Sequence, residues 1–159
     1  MRAIVIVVTL ALATGIVSAQ SSSTEKDAVV KAVQVFFDTM AARDVEGARA
    51  ILQPQGRFHA MSVRDGKPDV RAFSNEEYFA ILQASKQKMR ERTWNPEVSV
   101  HGLIATFRAP YDFWIDGKLS HCGVDAFDLI KTEDGWKIAG GVYTVETNCA
   151  PSPLGPLKQ

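Results

Sequence analysis

Charge of either sign is not in excess in this chain: 18 Lys and Arg balance 18 Asp and Glu over 159 residues. A neutral chain carries no electrostatic footprint for nucleic acid or for an anionic membrane surface. No nucleic-acid partner is expected, and small, weakly charged molecules are. Histidine is scarce: there are three, His59, His101 and His121, and none falls in a local ligand spacing such as H-E-x-x-H. No metal and no cofactor is expected. Cysteine is limited to Cys122 and Cys149. A domain of this size buries most of its surface without staples, so two free thiols remain as open a reading as one disulfide. Internal repeats are absent.

One long apolar run is present, and it stands at the start. Arg2 gives a short positive region, Ala3 to Val17 is almost unbroken apolar sequence, and Val17-Ser18-Ala19 is a small-residue cleavage pattern before Gln20. A membrane-spanning helix needs about 20 apolar residues, more than this run supplies. Residues 1–19 therefore read as an export signal, giving a periplasmic or secreted protein with no membrane contact after cleavage. The remaining chain, about 140 residues, is one domain by size. It spans residues 20–147 and ends in a Pro-rich tail, 148–159, that cannot be helix or central strand.

Within the domain the periodicity changes once. Thr24 reads as an N-cap, followed by Val29, Val33, Phe36, Phe37 and Met40 at helical spacing to about Arg43. Asp44 caps a short second helix that Pro54 and Gly56 end. Arg57 to Arg64 alternates as a strand, Asp65 to Pro68 turns, and Val70 to Phe73 continues as a second short strand. Ser74-Asn-Glu-Glu77 is a capping box opening a third helix with Tyr78, Ile81, Leu82 and Met89 along one side. The remainder is sheet: Val98 to His101, Ile104 to Ile115, the Asp116-Gly117 hairpin turn, Ser120 to Ile130, and Trp136 to Glu146. Helices grouped against an antiparallel meander make an α+β domain. Gly140-Gly141 inside the last strand reads as a bulge or a close backbone approach.

Four stretches, Phe37 to Leu52, Arg57-Phe58, Ser74 to Phe79, and Ala109-Pro-Tyr-Asp-Phe-Trp114 through Gly135-Trp-Lys-Ile138, resemble the nuclear transport factor 2-like superfamily, and within it the exported SnoaL-like proteins. The resemblance covers nearly all of the expected mature chain. It implies a cone-shaped, curved antiparallel sheet packed against about three N-terminal helices, with a pocket between them. It is specific for fold and poor for activity. Steroid isomerases of this superfamily carry a catalytic Tyr on the first helix and a general-base Asp in the first strand. Phe36 and His59-Ala60 stand at those positions here.

The hairpin allows a register to be read. If Ile115 pairs with Lys118, Asp112 lies opposite His121 and Arg108 opposite Asp125, and opposite residues share a face. Phe127 and Leu129 alternate with them and need burial, so that face is expected to look toward the helices. His121 is then a candidate acid or base with Asp112 or Asp125, and Arg108 a candidate ligand contact. A purely structural pair of ion pairs is the competing account. His59, sharing a face with Met61 and Val63, is expected to look into the cavity, and Tyr111, Trp114 and Tyr143 are candidate hydrogen-bond donors to a ligand. Three functions compete: a small-molecule-binding domain, a cofactor-independent dehydratase, isomerase or cyclase, and a module that dimerises through an outer sheet face exposing Tyr111, Phe113 and Val124. A Cys122–Cys149 bridge is the candidate disulfide, since Cys149 comes after the strand beside that of Cys122.

Overall fold

In a computed structural model, residues 15–157 are described. The expected export signal therefore lies for the greater part outside the described residues. Among those described, no helix is long and apolar enough to cross a membrane.

The order is α1 (Gly15–Ala42), α2 (Val45–Ile51), β1 (Leu52–Arg64), β2 (Lys67–Ser74), α3 (Asn75–Ala84), β3 (Met89–Thr93), β4 (Glu97–His101), β5 (Ile104–Ile115), β6 (Lys118–Thr132) and β7 (Gly135–Thr144). The seven strands form one curved, unclosed sheet in the order β2-β1-β7-β6-β5-β3, with β4 paired to β5 beyond β3. This is the α+β cone expected, with one departure: β1 and β7 run parallel.

Local chemistry explains most boundaries. Asp44 caps α2 through the Gly47 amide, and Ser74 and Glu77 form the reciprocal capping box of α3. Asp116 and Gly117 both take positive φ, 50° and 78°, as a type I′ turn requires. Three boundaries differ from expectation. The α1 backbone is helical from Gly15, so Thr24 lies inside the helix. The chain passes from Ile51 straight into β1, leaving Pro54 and Gly56 within a strand. Met89 belongs to β3, since α3 stops at Ala84.

The core lies between the concave sheet face and the helices. Val29, Val33, Phe36, Phe37 and Met40 of α1 are buried against Phe58, Phe107, Phe127, Leu129 and Ile138. Phe127 is the hub. Its ring meets Phe36, Phe58 and Phe107 at centroid distances of 6.2, 5.9 and 6.1 Å, and such pairs add about 0.5–1.5 kcal/mol each beyond burial. Glu25 fixes the helix to the sheet by accepting from Lys131 Nζ at 2.6 Å and Trp136 Nε1 at 3.0 Å.

The hairpin carries a bulge that decides which side chains face inward. Ile115 pairs with Lys118 and Trp114 with Leu119, but Phe113 pairs with His121, so Ser120 is an extra residue in β6. Beyond the bulge Asp112 lies opposite Cys122 and Arg108 opposite Ala126. The expected Asp112–His121 and Arg108–Asp125 pairings are thereby corrected: the inserted residue shifts the register by one. Tyr111 and Phe113 also turn inward, so the outer face does not expose them.

Candidate functional site

Between the sheet and helices α1 and α3 lies a cavity of about 230 Å³. Its walls are ring-rich. Phe36 comes from α1, Tyr78 from α3, Phe58 from β1, Phe73 from β2, Phe113 and Tyr111 from β5, Phe127 from β6 and Tyr143 from β7. Period-two alternation delivers them: Tyr111 and Phe113, and likewise His121, Asp125 and Phe127, share the concave face. The exposed Arg71 and Ile81 stand where the cavity meets solvent.

The polar part of the cavity is a pair of carboxyl groups. Glu91, from β3, and Asp125, from β6, both line the cavity and influence each other's titration across the intervening β5. Glu91 is partly exposed as a residue, and its side chain lines the cavity. Asp125 is 2% exposed, and its Oδ2 finds no further partner among the described residues. Burial pushes Glu91 well above the usual carboxylate range, and the facing Asp125 adds to it. Burial likewise raises Asp125 to about 7, with Glu91 acting against it. Raised together, the pair favours keeping a proton that two free carboxyls would lose in water.

Three tyrosines surround the pair. Burial raises all of them, Tyr143 to about 12. Tyr111 donates to the Thr144 carbonyl at 2.7 Å, while the buried Tyr78 hydroxyl has no partner among the described residues. His121 stacks on Phe113 at 4.7 Å and touches Ser120 Oγ through Nδ1 at 3.1 Å. Burial lowers it, so the neutral imidazole is favoured.

Of the residues singled out from sequence, His121, Asp125, Tyr111, Tyr143 and Phe36 line this cavity. Asp112, Arg108, His59 and Trp114 do not. Asp112 is buried on the opposite face, held by Arg92. Arg108 is exposed and reaches Glu97 at 3.5 Å. His59 lies with Arg57, Arg108 and Val142 along a shallow outer groove, because Phe58 takes the inward position. Trp114 packs beside Arg92, whose guanidinium carbon is 5.2 Å from its ring, and beside the tail. Cys122 and Cys149 are joined, with Cα atoms 5.8 Å apart, and the tail lies over the outer face.

Sequence reasoning does not pick out Glu91 or Tyr78 as site residues. Met-Arg-Glu-Arg-Thr has no apolar alternation and reads as solvated sequence. The available signal is length: the stretch between α3 and β4 is long for a structureless loop.

The chain matches, over residues 24–144, the model of a family described as putative lumazine-binding. No curated protein matches it. Among solved structures it is similar to a nuclear transport factor 2-like protein with a cystatin-like fold from Novosphingobium aromaticivorans, with TM-score 0.67 and 11% identity, covering 89% of this chain and 95% of that one. A putative dehydratase of the same superfamily from Streptomyces avermitilis superposes with TM-score 0.61 and 20% identity, covering 77% and 96%. The beta subunit of a putative aromatic-ring-hydroxylating dioxygenase, also from N. aromaticivorans, gives TM-score 0.66 and 11% identity, covering 86% and 99%. At these identities the likeness is one of fold.

Proposed function

The chain belongs to the putative lumazine-binding family, and from that premise we propose that it is an exported domain that holds a compact ring molecule in the aromatic cavity. The observation that carries this is the unpartnered Asp125 Oδ2 at the floor of a ring-lined cavity. Buried polar atoms are nearly always hydrogen-bonded, so an orphan acceptor facing a cavity marks the place of a ligand's donor. The volume, about 230 Å³, lies below the range of about 300–1,000 Å³ typical of drug-sized ligands, which favours one or two fused rings. Lumazine, a flat nitrogen heterocycle, is the first probe the family's name supplies.

Calorimetric titration with lumazine, alongside native mass spectrometry of protein purified from its own host, tests the reading. Saturable binding or a co-purifying small molecule is expected, with binding weakened in Asp125→Asn. An empty protein that binds no ring compound would refute it. Export is part of the proposal, supported by the apolar run and the Val-Ser-Ala pattern. Recovered mature protein should begin at Gln20.

A second reading has an observation of its own. His121 and Asp125 line one cavity, and Asp125 is raised to about 7, a value suited to general acid–base work at neutral pH. Cofactor-independent dehydration, isomerisation or cyclisation would use these two groups. Asp112, on the other face, takes no part. Turnover of an enolisable or β-hydroxy carbonyl compound that is lost in both His121→Gln and Asp125→Asn would support this reading over simple binding.

A further inference from the structure

Two carboxyl groups line one cavity, and the cation of its lining, Arg71, stands at the exposed mouth. Each group near Glu91 and Asp125 can be placed. Asp112, on the far side of β5, adds negative potential and is itself neutralised by Arg92. Tyr78, Tyr111 and Tyr143 are uncharged, since burial raises all three, and His121 is held toward its neutral form. Arg71, the remaining cation of the lining, is exposed at the mouth and is not among the groups acting on either carboxyl.

Two carboxyls lining one cavity, Asp125 only 2% exposed, resist joint ionisation, so the pair favours keeping a proton. Full ionisation of both in a ring-lined cavity is costly unless a cation is supplied. Arg71 acts on Tyr143 and not on the carboxyls, and Asp125 Oδ2 and the Tyr78 hydroxyl stand unpartnered in the lining. The lining rings present negative faces, which attract a cation within about 6 Å of a ring centre. An anionic ligand would meet carboxylate charge.

We propose that the Glu91–Asp125 pair is the docking point of a compact cationic nitrogen base, an amine, amidine or protonated nitrogen heterocycle, that enters the cavity and displaces the proton the pair keeps. This rests on the ligand-binding reading above and names the ligand's charge and donor chemistry. The proton leaves to solvent as the N–H groups of the base take its place between the two carboxylates. Binding is therefore linked to pH: as pH rises toward about 7, less proton competes and the base binds more tightly.

Three probes of one shape and different charge decide it: benzamidinium, benzamide and benzoate, titrated into the full-length protein by calorimetry, with two-dimensional NMR to locate the contacts. Benzamidinium is expected to bind at least about tenfold more tightly than benzamide, an affinity ratio worth about 1.4 kcal/mol, and benzoate not measurably. Benzamidinium affinity is expected to rise by more than about tenfold between pH 5.5 and 7.5, as loss of at least one proton held near about 7 predicts. Comparison of buffers of different ionisation enthalpy should give about one proton released per cation bound. Glu91→Gln and Asp125→Asn should each abolish the charge preference and the proton release. Benzamide binding in the cavity as well as benzamidinium, without pH dependence, overturns this inference and leaves the binding reading standing. Silence of all three probes at cavity resonances overturns both.

Discussion

Arg92 holds Asp112 in a two-pronged grip, Nε to Oδ1 at 2.8 Å and Nη2 to Oδ2 at 2.6 Å, and the same Nη2 donates to the Gly155 carbonyl at 2.7 Å. The pair sits on neighbouring strands on the face away from the cavity, with side chains only 15% and 3% exposed. It ties an edge strand, the sheet and the C-terminal tail together. Removing one partner of a buried ion pair leaves an uncompensated charge and costs about 3–5 kcal/mol, whereas an exposed pair is worth about 0–1 kcal/mol. Asp112→Ala should therefore lose about 3–5 kcal/mol in urea melts. Arg92→Met with Asp112→Leu should recover much of it. Arg108→Ala, which breaks only an exposed contact to Glu97, should change stability by less than about 1 kcal/mol.

The two sets of buried carboxyls respond to pH with opposite sign. Burial pushes Asp112 upward, but hydrogen bonds led by Arg92 overcome it and leave it below its ordinary value. Its stabilising contribution is present above the unfolded-state value and is lost as pH falls through the lowered one. Glu91 and Asp125 are raised, so their contribution is full below the ordinary carboxylate range and is lost as pH rises toward about 7. Between pH 4.5 and 8, Asp125→Asn should gain on the wild type by more than about 1.4 kcal/mol, the worth of one pKa unit. Denaturant melts across that range measure it. A difference that stays flat with pH would mean that Asp125 titrates as an ordinary carboxyl.

The Cys122–Cys149 bridge closes a loop of 27 residues in sequence. Cross-linking a loop of that length restricts the unfolded chain by about 3.5 kcal/mol in the chain-entropy account. Replacing both cysteines by serine should lower stability by up to that amount, and by less if the tail detaches before the sheet unfolds. Unreduced, denatured wild-type protein should take up no thiol label.

How far the sequence reaches is clearest at the β5–β6 hairpin. The Asp116-Gly117 turn, the pairing of Ile115 with Lys118 and the inward placing of His121, Asp125, Phe127 and Leu129 are all legible, because turn chemistry and alternation are local signals. Alternation puts Arg108 and Asp112 on the wrong face because Ser120 bulges out of β6. Nothing in Leu119-Ser120-His121 marks an inserted residue, since no glycine stands there to signal a bulge. Glu91 escapes for a related reason. It sits on a five-residue edge strand with charged neighbours, and only the fold brings it to Asp125, 34 positions on. The helix caps at Asp44 and Ser74 are readable for the same local reason as the turn.

Gly141 is where the sequence's expectation of a close backbone approach has a structural consequence for the cavity. It lies in β7 between Phe58 of β1 and Phe127 of β6, its register partners on either side. An added Cβ would run into the Phe127 ring and come within 2.8 Å of the Ala126 carbonyl oxygen. The carbonyl is fixed in the sheet, so the ring must move. Phe127 cannot shift freely, because Phe36, Phe58 and Phe107 pack against it. Overpacking of this kind typically costs about 1–3 kcal/mol, and Gly141→Ala should lose that much in urea melts. The displaced ring also belongs to the cavity wall, so ring-compound affinity should fall with stability. Adding Phe127→Ala removes the ring atoms that the new methyl meets. The double variant should bind better than Gly141→Ala alone, even though Phe127→Ala by itself sacrifices aromatic contacts. That non-additivity, read from a double-mutant cycle, separates direct crowding at the wall from a general loosening of β7: crowding requires the two substitutions to couple, and simple addition would rule it out.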